Sequence, residues 1–208
     1  MKRKLGIVAA FMLVFLAVTG CQKQEEPTKE PEQKQEKASE DLLSGTHHVE
    51  IQVKDYGTIA VELDADTAPI TVTNFVNLAK EGFYDNLTFH RIMDGFMIQG
   101  GDPNGDGTGG ADKTIKGEFS NNGVENEISH TRGTISMARA QDPDSASSQF
   151  FIVQEDSDYL DGDYAAFGHV TSGMEIVDQI CKDVPVEDDN GTVKAENQPV
   201  IEKITITD

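Results

Sequence analysis

The strongest constraint on the fold is a series of eight short apolar or β-branched segments between residues 48 and 207. Alternation over four to eight residues is typical of β-strands, and only two stretches between the segments show helical spacing. A sheet with so few helices to cover it is protected when it closes on itself, because closure leaves no exposed edge. The sequence therefore predicts a mainly β fold that forms a closed barrel. The predicted strands are HVEIQV (48–53), TIAVEL (58–63), LTFHRI (87–92), FMIQG (96–100), GTISMA (133–138), FFIV (150–153), AFGHV (166–170) and VIEKITIT (200–207).

Both helical stretches carry an apolar stripe. In the first, Asp66 and Thr67 are candidate N-terminal caps, and Pro69 suits an early helical position. The second follows Gly173 and contains Cys181, which we expect to be buried by packing rather than reactive. The stripes consist of Val72, Phe75, Val76 and Ala79 in the first helix and Met174, Ile176, Val177 and Ile180 in the second.

The amino terminus has the pattern of an export signal. Three basic residues precede an apolar run that is too short to span a membrane. The run ends in VTGC, which resembles the lipobox of bacterial lipoprotein precursors, where the cysteine is acylated and becomes the first mature residue. We therefore predict a lipoprotein signal peptide over residues 1–20 and a lipid on Cys21. The alternatives are an ordinary cleavage site beside an incidental cysteine and, less favoured, an uncleaved membrane anchor.

Residues 21–45 begin with Cys21 and are otherwise rich in Gln, Glu, Lys, Pro and Ser, a composition that predicts a disordered tether. Residues 46–208 have the length of one domain. The whole chain has a formal charge of -20, and its predicted leader holds three basic and no acidic residues, so the remainder stands at -23. Such a surface repels phosphate backbones, which excludes a nucleic-acid partner. Acylation of Cys21 would leave Cys181 without a disulfide partner.

Metal chemistry has little support in the sequence. The stretch DPNGDG (102–107) has the opening of a calcium loop, but Lys113 stands where a bidentate Glu is needed. A calcium-dependent adhesin is therefore disfavoured, and a glycine-rich surface loop is the better interpretation. The histidines are scattered, apart from two adjacent ones that would face opposite sides of a strand. We expect no metal and no cofactor.

The stretch FHRIMDGFMIQGG (89–101) places one arginine in an apolar run, and it resembles the signature of the cyclophilin-type peptidyl-prolyl cis/trans isomerases. The resemblance continues in family order through GTGG (107–110), GTISMARA (133–140), SSQFFIV (147–153) and LDGDYAAFGHV (160–170). It implies an eight-stranded antiparallel barrel capped by two α-helices. It also implies an activity, the rotation of X-Pro bonds, which needs no nucleophile, metal or ATP.

The resemblance assigns roles residue by residue. It makes Arg91 the catalytic donor, and it implies that Gln99 and Gln149 hold the substrate backbone. Tyr159 and Tyr164 stand where eukaryotic members commonly have a tryptophan and a histidine. Loss of the tryptophan should weaken cyclosporin binding, and Arg139 replaces a common asparagine. The proline pocket would comprise Phe96, Met97, Phe151 and Leu160, and the groove for residues before proline would comprise Ala138, Arg139 and Ala140.

Together these features predict a monomeric prolyl isomerase, lipid-anchored outside the cytoplasm on a bacterial cell membrane, that assists the folding of exported polypeptides. The alternative is a non-catalytic module that binds proline peptides or holds unfolded chains through the same groove. The presence of Arg91 favours the enzyme, because binding alone needs the pocket more than the donor.

Overall fold

The computed structural model describes residues 42–208. The predicted signal peptide, the predicted acylation site at Cys21 and most of the predicted tether lie outside the described residues. Within residues 42–208, no helix combines the length and the apolar character that crossing a membrane requires.

All eight predicted strands are present and form one antiparallel sheet. The strands pair in the order β3-β4-β6-β5-β7-β2-β1-β8, and the predicted bounds agree with the observed ones to within two residues. The bounds are β1 Thr46–Val53, β2 Gly57–Asp64, β3 Thr88–Met93, β4 Met97–Asp102, β5 Thr134–Met137, β6 Phe150–Val153, β7 Ala166–Ser172 and β8 Ile201–Ile206.

The sheet is curled but open, so the prediction of a closed barrel is wrong. Its two end strands, β3 and β8, form no ladder with each other, and Thr88 in β3 makes one isolated bridge to Val200, the residue before β8. Beyond that bridge, the outer edge of β3 is occupied by another segment. The Ile92 amide donates to the Gly191 carbonyl at 2.8 Å, and the Val193 amide donates to the His90 carbonyl at 3.0 Å. Residues 191–193 therefore cover the edge of β3 that would pair with β8 in a closed barrel.

Helix α1, Pro69–Lys80, buries the predicted stripe against the sheet but begins differently from the prediction. Neither Asp66 nor Thr67 caps it, since the N-cap position is Ala68, which makes no side-chain cap bond. Instead, the buried Glu118 carboxylate accepts hydrogen bonds from the Ile70 and Thr71 amides at 3.0 and 2.7 Å. The cap thus comes from a residue 47 or 48 positions away, which no local pattern could indicate.

Helix α2, Met174–Asp183, follows Gly173 as predicted and buries Val177, Ile180 and Cys181. Cys181 is 7% exposed. Burial raises the pKa of its thiol to about 12, with a further contribution from Asp94, so the thiol remains protonated and poorly nucleophilic at neutral pH. The prediction that Cys181 is a packing residue agrees with this environment.

The two faces of β4 and β6 bury different sets of side chains. Ile98, Phe150 and Ile152 belong to the main core beneath α1. Alternation along each strand turns their neighbours to the opposite face. There, Met97, Phe151 and Val153 form a separate small cluster. The apolar residues packed against this cluster are Met93, Phe96, Ala138, Leu160 and Tyr164.

Candidate active site

The antiparallel register aligns the predicted site residues in a row across neighbouring strands. Arg91 in β3 pairs with Gln99 in β4, and Gln99 pairs with Phe151 in β6. Phe151 in turn pairs with Ser136 in β5. Directly paired residues on antiparallel strands share a face. The row therefore brings a cation, an amide and an aromatic ring, from segments far apart in the sequence, onto one surface.

Arg91 is held in this row by neutral groups. Its Nε donates to the Asn190 carbonyl at 2.8 Å, and its Nη1 donates to Gln99 Oε1 at 3.1 Å. Nη2 contacts the Met93 sulfur at 2.9 Å, and the guanidinium lies 6.0 Å from the centre of the Phe96 ring. No carboxylate forms an ion pair with Arg91 within residues 42–208. The positive charge therefore remains uncompensated at short range.

Partial burial affects the electrostatics of Arg91. Desolvation lowers the pKa of its guanidinium, while Tyr164, Tyr159 and Asp188 act in the opposite direction. An arginine nevertheless stays protonated in proteins. A half-buried, protonated guanidinium without a carboxylate partner favours a ligand that can accept its hydrogen bonds.

Two amide side chains extend this polar row into the glycine-rich loop. Gln99 Nε2 donates to Gln149 Oε1 at 2.9 Å, while Gln99 Oε1 accepts from Arg91. Gln149 Nε2 then donates to the Gly109 and Gly107 carbonyls at 2.8 and 3.1 Å. These hydrogen bonds fix the orientation of both side-chain amides, Gln99 and Gln149. One connected hydrogen-bond network therefore runs from the loop through Gln149 and Gln99 to Arg91.

The glycine-rich loop is organised by its first residue. One Asp102 carboxylate oxygen accepts from the Asn104 amide at 2.8 Å, and the other accepts from the Gly107 and Asp106 amides at 2.6 and 3.2 Å. Asp102 is buried. The DPNGDG stretch is thus a turn closed by its own carboxylate, which agrees with the interpretation of a surface loop.

A cavity of about 220 Å³ with both apolar and polar walls lies beside the guanidinium. Met97 and Phe151 form its floor and are 1% and 5% exposed. Strand alternation does not place Phe96 beside Met97, but Phe96 also reaches the cavity. It can do so because it precedes β4, in a turn in which the Phe96 amide donates to the Met93 carbonyl. The full lining is Arg91, Phe96, Met97, Gln99, Ala138, Arg139, Phe151, Leu160 and Tyr164.

The remaining predicted residues lie at the margins of this cavity. Ala140 and Gln149 line a second cavity that adjoins it. Tyr159 lines neither cavity; it is 67% exposed, and its ring centre is 6.0 Å from that of Phe96. Eleven of the twelve predicted residues of the domain therefore meet in two adjoining cavities, and Tyr159 stands at the rim.

Sequence reasoning missed two supports of the site. His130 is fully buried and lies parallel to the Phe151 ring, with centres 6.0 Å apart. Its ring nitrogens bond Asp161 at 2.8 Å and Ser136 at 3.0 Å, and burial lowers its pKa despite Asp161. The other support is the Asn190 carbonyl, and its only local signal was the Asn-Gly pair, which is typical of a turn. Nothing in the sequence connected either residue to Arg91 or Phe151.

Known proteins are similar to this chain in sequence and fold. The family model described as cyclophilin type peptidyl-prolyl cis-trans isomerase/CLD matches residues 48–208. Peptidyl-prolyl cis-trans isomerase B of Bacillus subtilis is 46% identical over 140 residues, which cover 65% of this chain and 94% of the relative. Peptidyl-prolyl cis-trans isomerase B of Escherichia coli is 39% identical over 172 residues, which cover 74% and 96%.

Solved structures agree with the sequence matches. A cyclophilin type isomerase of Cryptosporidium parvum superposes with a TM-score of 0.69 at 30% identity, covering 79% of this chain and 99% of that structure. The same protein in the presence of the dipeptide Ala-Pro gives a TM-score of 0.68 at 32% identity, with coverages of 77% and 99%. The chain therefore belongs to the cyclophilin-type peptidyl-prolyl cis-trans isomerase family.

Proposed function

We propose that this isomerase accelerates rotation of X-Pro bonds in exported polypeptides, with Arg91 as the donor that stabilises the twisted bond. The observation that carries this proposal is the half-buried Arg91 guanidinium, which stands beside a cavity with an apolar floor and has no carboxylate partner in residues 42–208. The lipid anchor and the extracytoplasmic role are part of the proposal and are supported by the sequence pattern.

The reaction explains why one cation suffices. Rotation breaks the amide resonance of the X-Pro bond, and the barrier of about 18 to 20 kcal/mol makes the uncatalysed event take tens to hundreds of seconds. At the twisted state the proline nitrogen regains a lone pair that can accept a hydrogen bond. A guanidinium that donates to this nitrogen, or holds the preceding carbonyl, binds the twisted state more tightly than the planar one.

The donors of Arg91 differ in how firmly they are engaged. Nε faces the Asn190 carbonyl and Nη1 faces Gln99, and these oxygens fix the plane of the guanidinium. Nη2 faces the Met93 sulfur, and Nη1 lies 4.0 Å from the Met97 sulfur. Thioethers are weak acceptors. A substrate oxygen or nitrogen can therefore replace them at little energetic cost while the oxygen acceptors hold the group in place.

The apolar part of this cavity suits the pyrrolidine ring of proline. The cavity has a volume of about 220 Å³, and the buried Met97 and Phe151 at its floor provide apolar contacts for the ring. Exclusion of water strengthens the hydrogen bond from Arg91 and disfavours the more polar planar amide. The Gln99 amide stands between the cavity and Gln149, where it can hold the substrate backbone.

The cellular setting of the proposal follows from the amino terminus. A basic start, a short apolar run and VTGC indicate export and acylation at Cys21. A charge of -23 after the predicted leader is repelled by anionic lipid headgroups, so the lipid alone would hold the domain at the membrane. Newly exported chains are unfolded, and prolyl isomerisation needs no ATP. A tethered isomerase therefore suits that compartment.

The test of catalysis is an NMR exchange or protease-coupled assay on a short Ala-Pro peptide with the soluble domain. Arg91→Ala should lose at least about tenfold in kcat/KM, since a charge-assisted hydrogen bond is worth about 1.5 to 3 kcal/mol. Arg91→Lys should also be impaired, because an ammonium lacks the fork. The exposed Lys182→Ala is the control for lost charge. If both Arg91 variants stay folded and match the parent, the non-catalytic binding module becomes the better account.

The test of the anchor is membrane fractionation after expression of the full chain in a bacterium. We expect the parent in the membrane fraction, with a mass that includes acyl chains, and the Cys21→Ser variant without them. A parent chain that is processed elsewhere and carries no lipid would contradict the anchor without affecting the assignment of Arg91.

A further inference from the structure

A second cavity, of about 370 Å³, adjoins the proline pocket and shares Gln99, Ala138 and Arg139 with it. Small and neutral residues make up the rest of its wall. Among its lining residues in the described part of the chain, Arg139 alone is charged. The other lining residues are Gly107, Thr108, Gly109, Gly110, Ala111, Ala140, Ser145, Ser147 and Gln149.

The Arg139 guanidinium is fixed in place without being neutralised. Its Nε donates to the Asp163 carbonyl at 2.8 Å, and its Nη1 donates to the Ala140 carbonyl at 2.9 Å. Its carbon lies 4.9 Å from the centre of the Tyr164 ring and 5.1 Å from that of Phe119. These contacts restrict the group at two edges and against two aromatic rings. A binding partner therefore meets a preorganised cation, which reduces the entropy lost on binding.

Nearby carboxylates are engaged elsewhere. Asp163 Oδ1 accepts from Asn121 at 2.9 Å, and Asp144 Oδ1 accepts from Asn122 at 2.8 Å. No ion pair involves Arg139 within residues 42–208, and its Nη2 makes no hydrogen bond to those residues. The free edge of the guanidinium therefore retains donors that match a carboxylate.

We infer that the Arg139 cavity selects substrates with an acidic side chain within about three residues of the proline. The inference rests on the proposed function, because it assumes that the proline occupies the adjoining pocket. The shared wall of the two cavities allows one peptide to occupy both, since an extended chain advances about 3.3 Å per residue. A Glu or Asp carboxylate in the second cavity would meet the one charged group in its wall.

The selection should be local rather than long-range. The chain is strongly acidic, with a formal charge of -20, so the overall field does not steer acidic peptides toward it. An ion pair at a partly exposed site contributes about 0.2 to 1 kcal/mol, which corresponds to a preference for Glu over Gln of up to about fivefold in kcat/KM. The preference should shrink at high salt, because salt screens exposed charges.

The experiment compares matched peptides by NMR exchange. Each peptide contains Ala-Pro, and Glu or Gln occupies the second or third position before the proline, or the second position after it. An all-alanine peptide is the reference. We expect the Glu peptide to exceed its Gln partner by about two- to fivefold at one of these positions with the parent protein. A ratio of one at all three positions would overturn the inference.

Three variants identify the source of the preference. Arg139→Gln should bring the Glu-to-Gln ratio to about one or below, whatever its effect on the all-alanine peptide, and Arg139→Lys should keep part of it. Lys182→Gln removes the same charge from an exposed position outside both cavities and should keep the parental ratio. A ratio that survives in Arg139→Gln overturns the inference. Failure to accelerate the all-alanine peptide would instead contradict the proposed function, so the two failures are distinguishable.

Discussion

Substitution of Gly191 by alanine should separate the loop that holds Arg91 from the strand that carries it. Gly191 has φ +80, a left-handed conformation that alanine adopts only at a cost. A Cβ at this position would overlap the Ile92 carbonyl oxygen and lie 2.6 Å from the Met93 Cγ. Because neighbouring backbone occupies this space, the loop itself has to move away from β3.

The expected cost has three parts. The left-handed conformation costs alanine about 1 to 2 kcal/mol. Displacement loses the hydrogen bond from the Ile92 amide to the Gly191 carbonyl, worth about 0.5 to 1.5 kcal/mol. Repacking against Met93 adds about 1 kcal/mol or more. The free energy of unfolding should fall by roughly 2.5 to 4.5 kcal/mol, which lowers Tm by about 5 to 18 °C for a domain of this size.

Activity should fall as well, because the adjacent Asn190 carbonyl accepts from Arg91 Nε at 2.8 Å. A guanidinium released from this contact samples more orientations, and misplacement of a catalytic group by about 1 Å can cost up to a hundredfold. We expect kcat/KM for an Ala-Pro peptide to drop at least about fivefold at a temperature where the variant remains folded, again because orientation is lost.

Gly123 supplies the matched control. It has φ +76, and a Cβ there meets nothing within 4 Å. Gly123→Ala therefore carries the backbone strain without the overlap and should lose only about 1 to 2 kcal/mol, with unchanged kcat/KM. Differential scanning calorimetry and NMR exchange would measure both effects. Equal Tm and equal kcat/KM in the two variants would refute the argument that the Gly191 loop positions Arg91.

Three further predictions concern pH, helix capping and inhibitor binding. Burial lowers the pKa of His90 below its unfolded value of 6.5, so the unfolded chain gains a proton first on acidification. The free energy of unfolding, measured by urea titration, should therefore fall as pH drops from about 6.5, and it should fall less steeply in His90→Phe. An equal pH dependence in the parent and the variant would contradict this. Glu118→Gln should lower the free energy of unfolding by about 1 to 3 kcal/mol in urea titrations, because the Ile70 and Thr71 amides lose a charged acceptor, and an unchanged midpoint would show that the cap is dispensable. Tyr159→Trp should tighten cyclosporin binding, measured by calorimetry, since the resemblance to eukaryotic cyclophilins assigns that recognition to a tryptophan. Equal affinity of the parent and the variant would show that position 159 does not determine cyclosporin binding.

The strands and helices were predictable because their signals are local. Alternation along segments such as FFIV reflects a face that must be buried, and it placed β6 at Phe150–Val153, as observed. The stripe of α1 was equally visible, but its cap was not, since Glu118 reaches the helix from far along the chain. Local periodicity carries information about burial and none about which distant side chain completes a helix end.

The sequence identified part of the candidate active site, but only the structure showed how its residues come together. The motifs identified Arg91, Gln99 and Phe151 by resemblance, and the register then showed that they form one row. Sequence reasoning placed Tyr159 with the binding residues, and the structure adds that it stands at the rim, 67% exposed, so its part in binding stays a prediction. It also missed His130, which it had set aside as one of several scattered histidines, because only stacking on Phe151 shows what that ring supports.

By itself, the sequence determined the secondary structure, the acidic charge and the family, since these depend on residue type and spacing along the chain. Only the tertiary structure decided that the sheet stays open, because residues 191–193 occupy the edge of β3 that closure would require. The same contact brings the Asn190 carbonyl to Arg91. Closure of the sheet and the position of Arg91 both depend on which distant segment forms hydrogen bonds with the edge of β3. Hydrogen bonds between distant segments produce no periodic pattern in a sequence, so the sequence could not predict them.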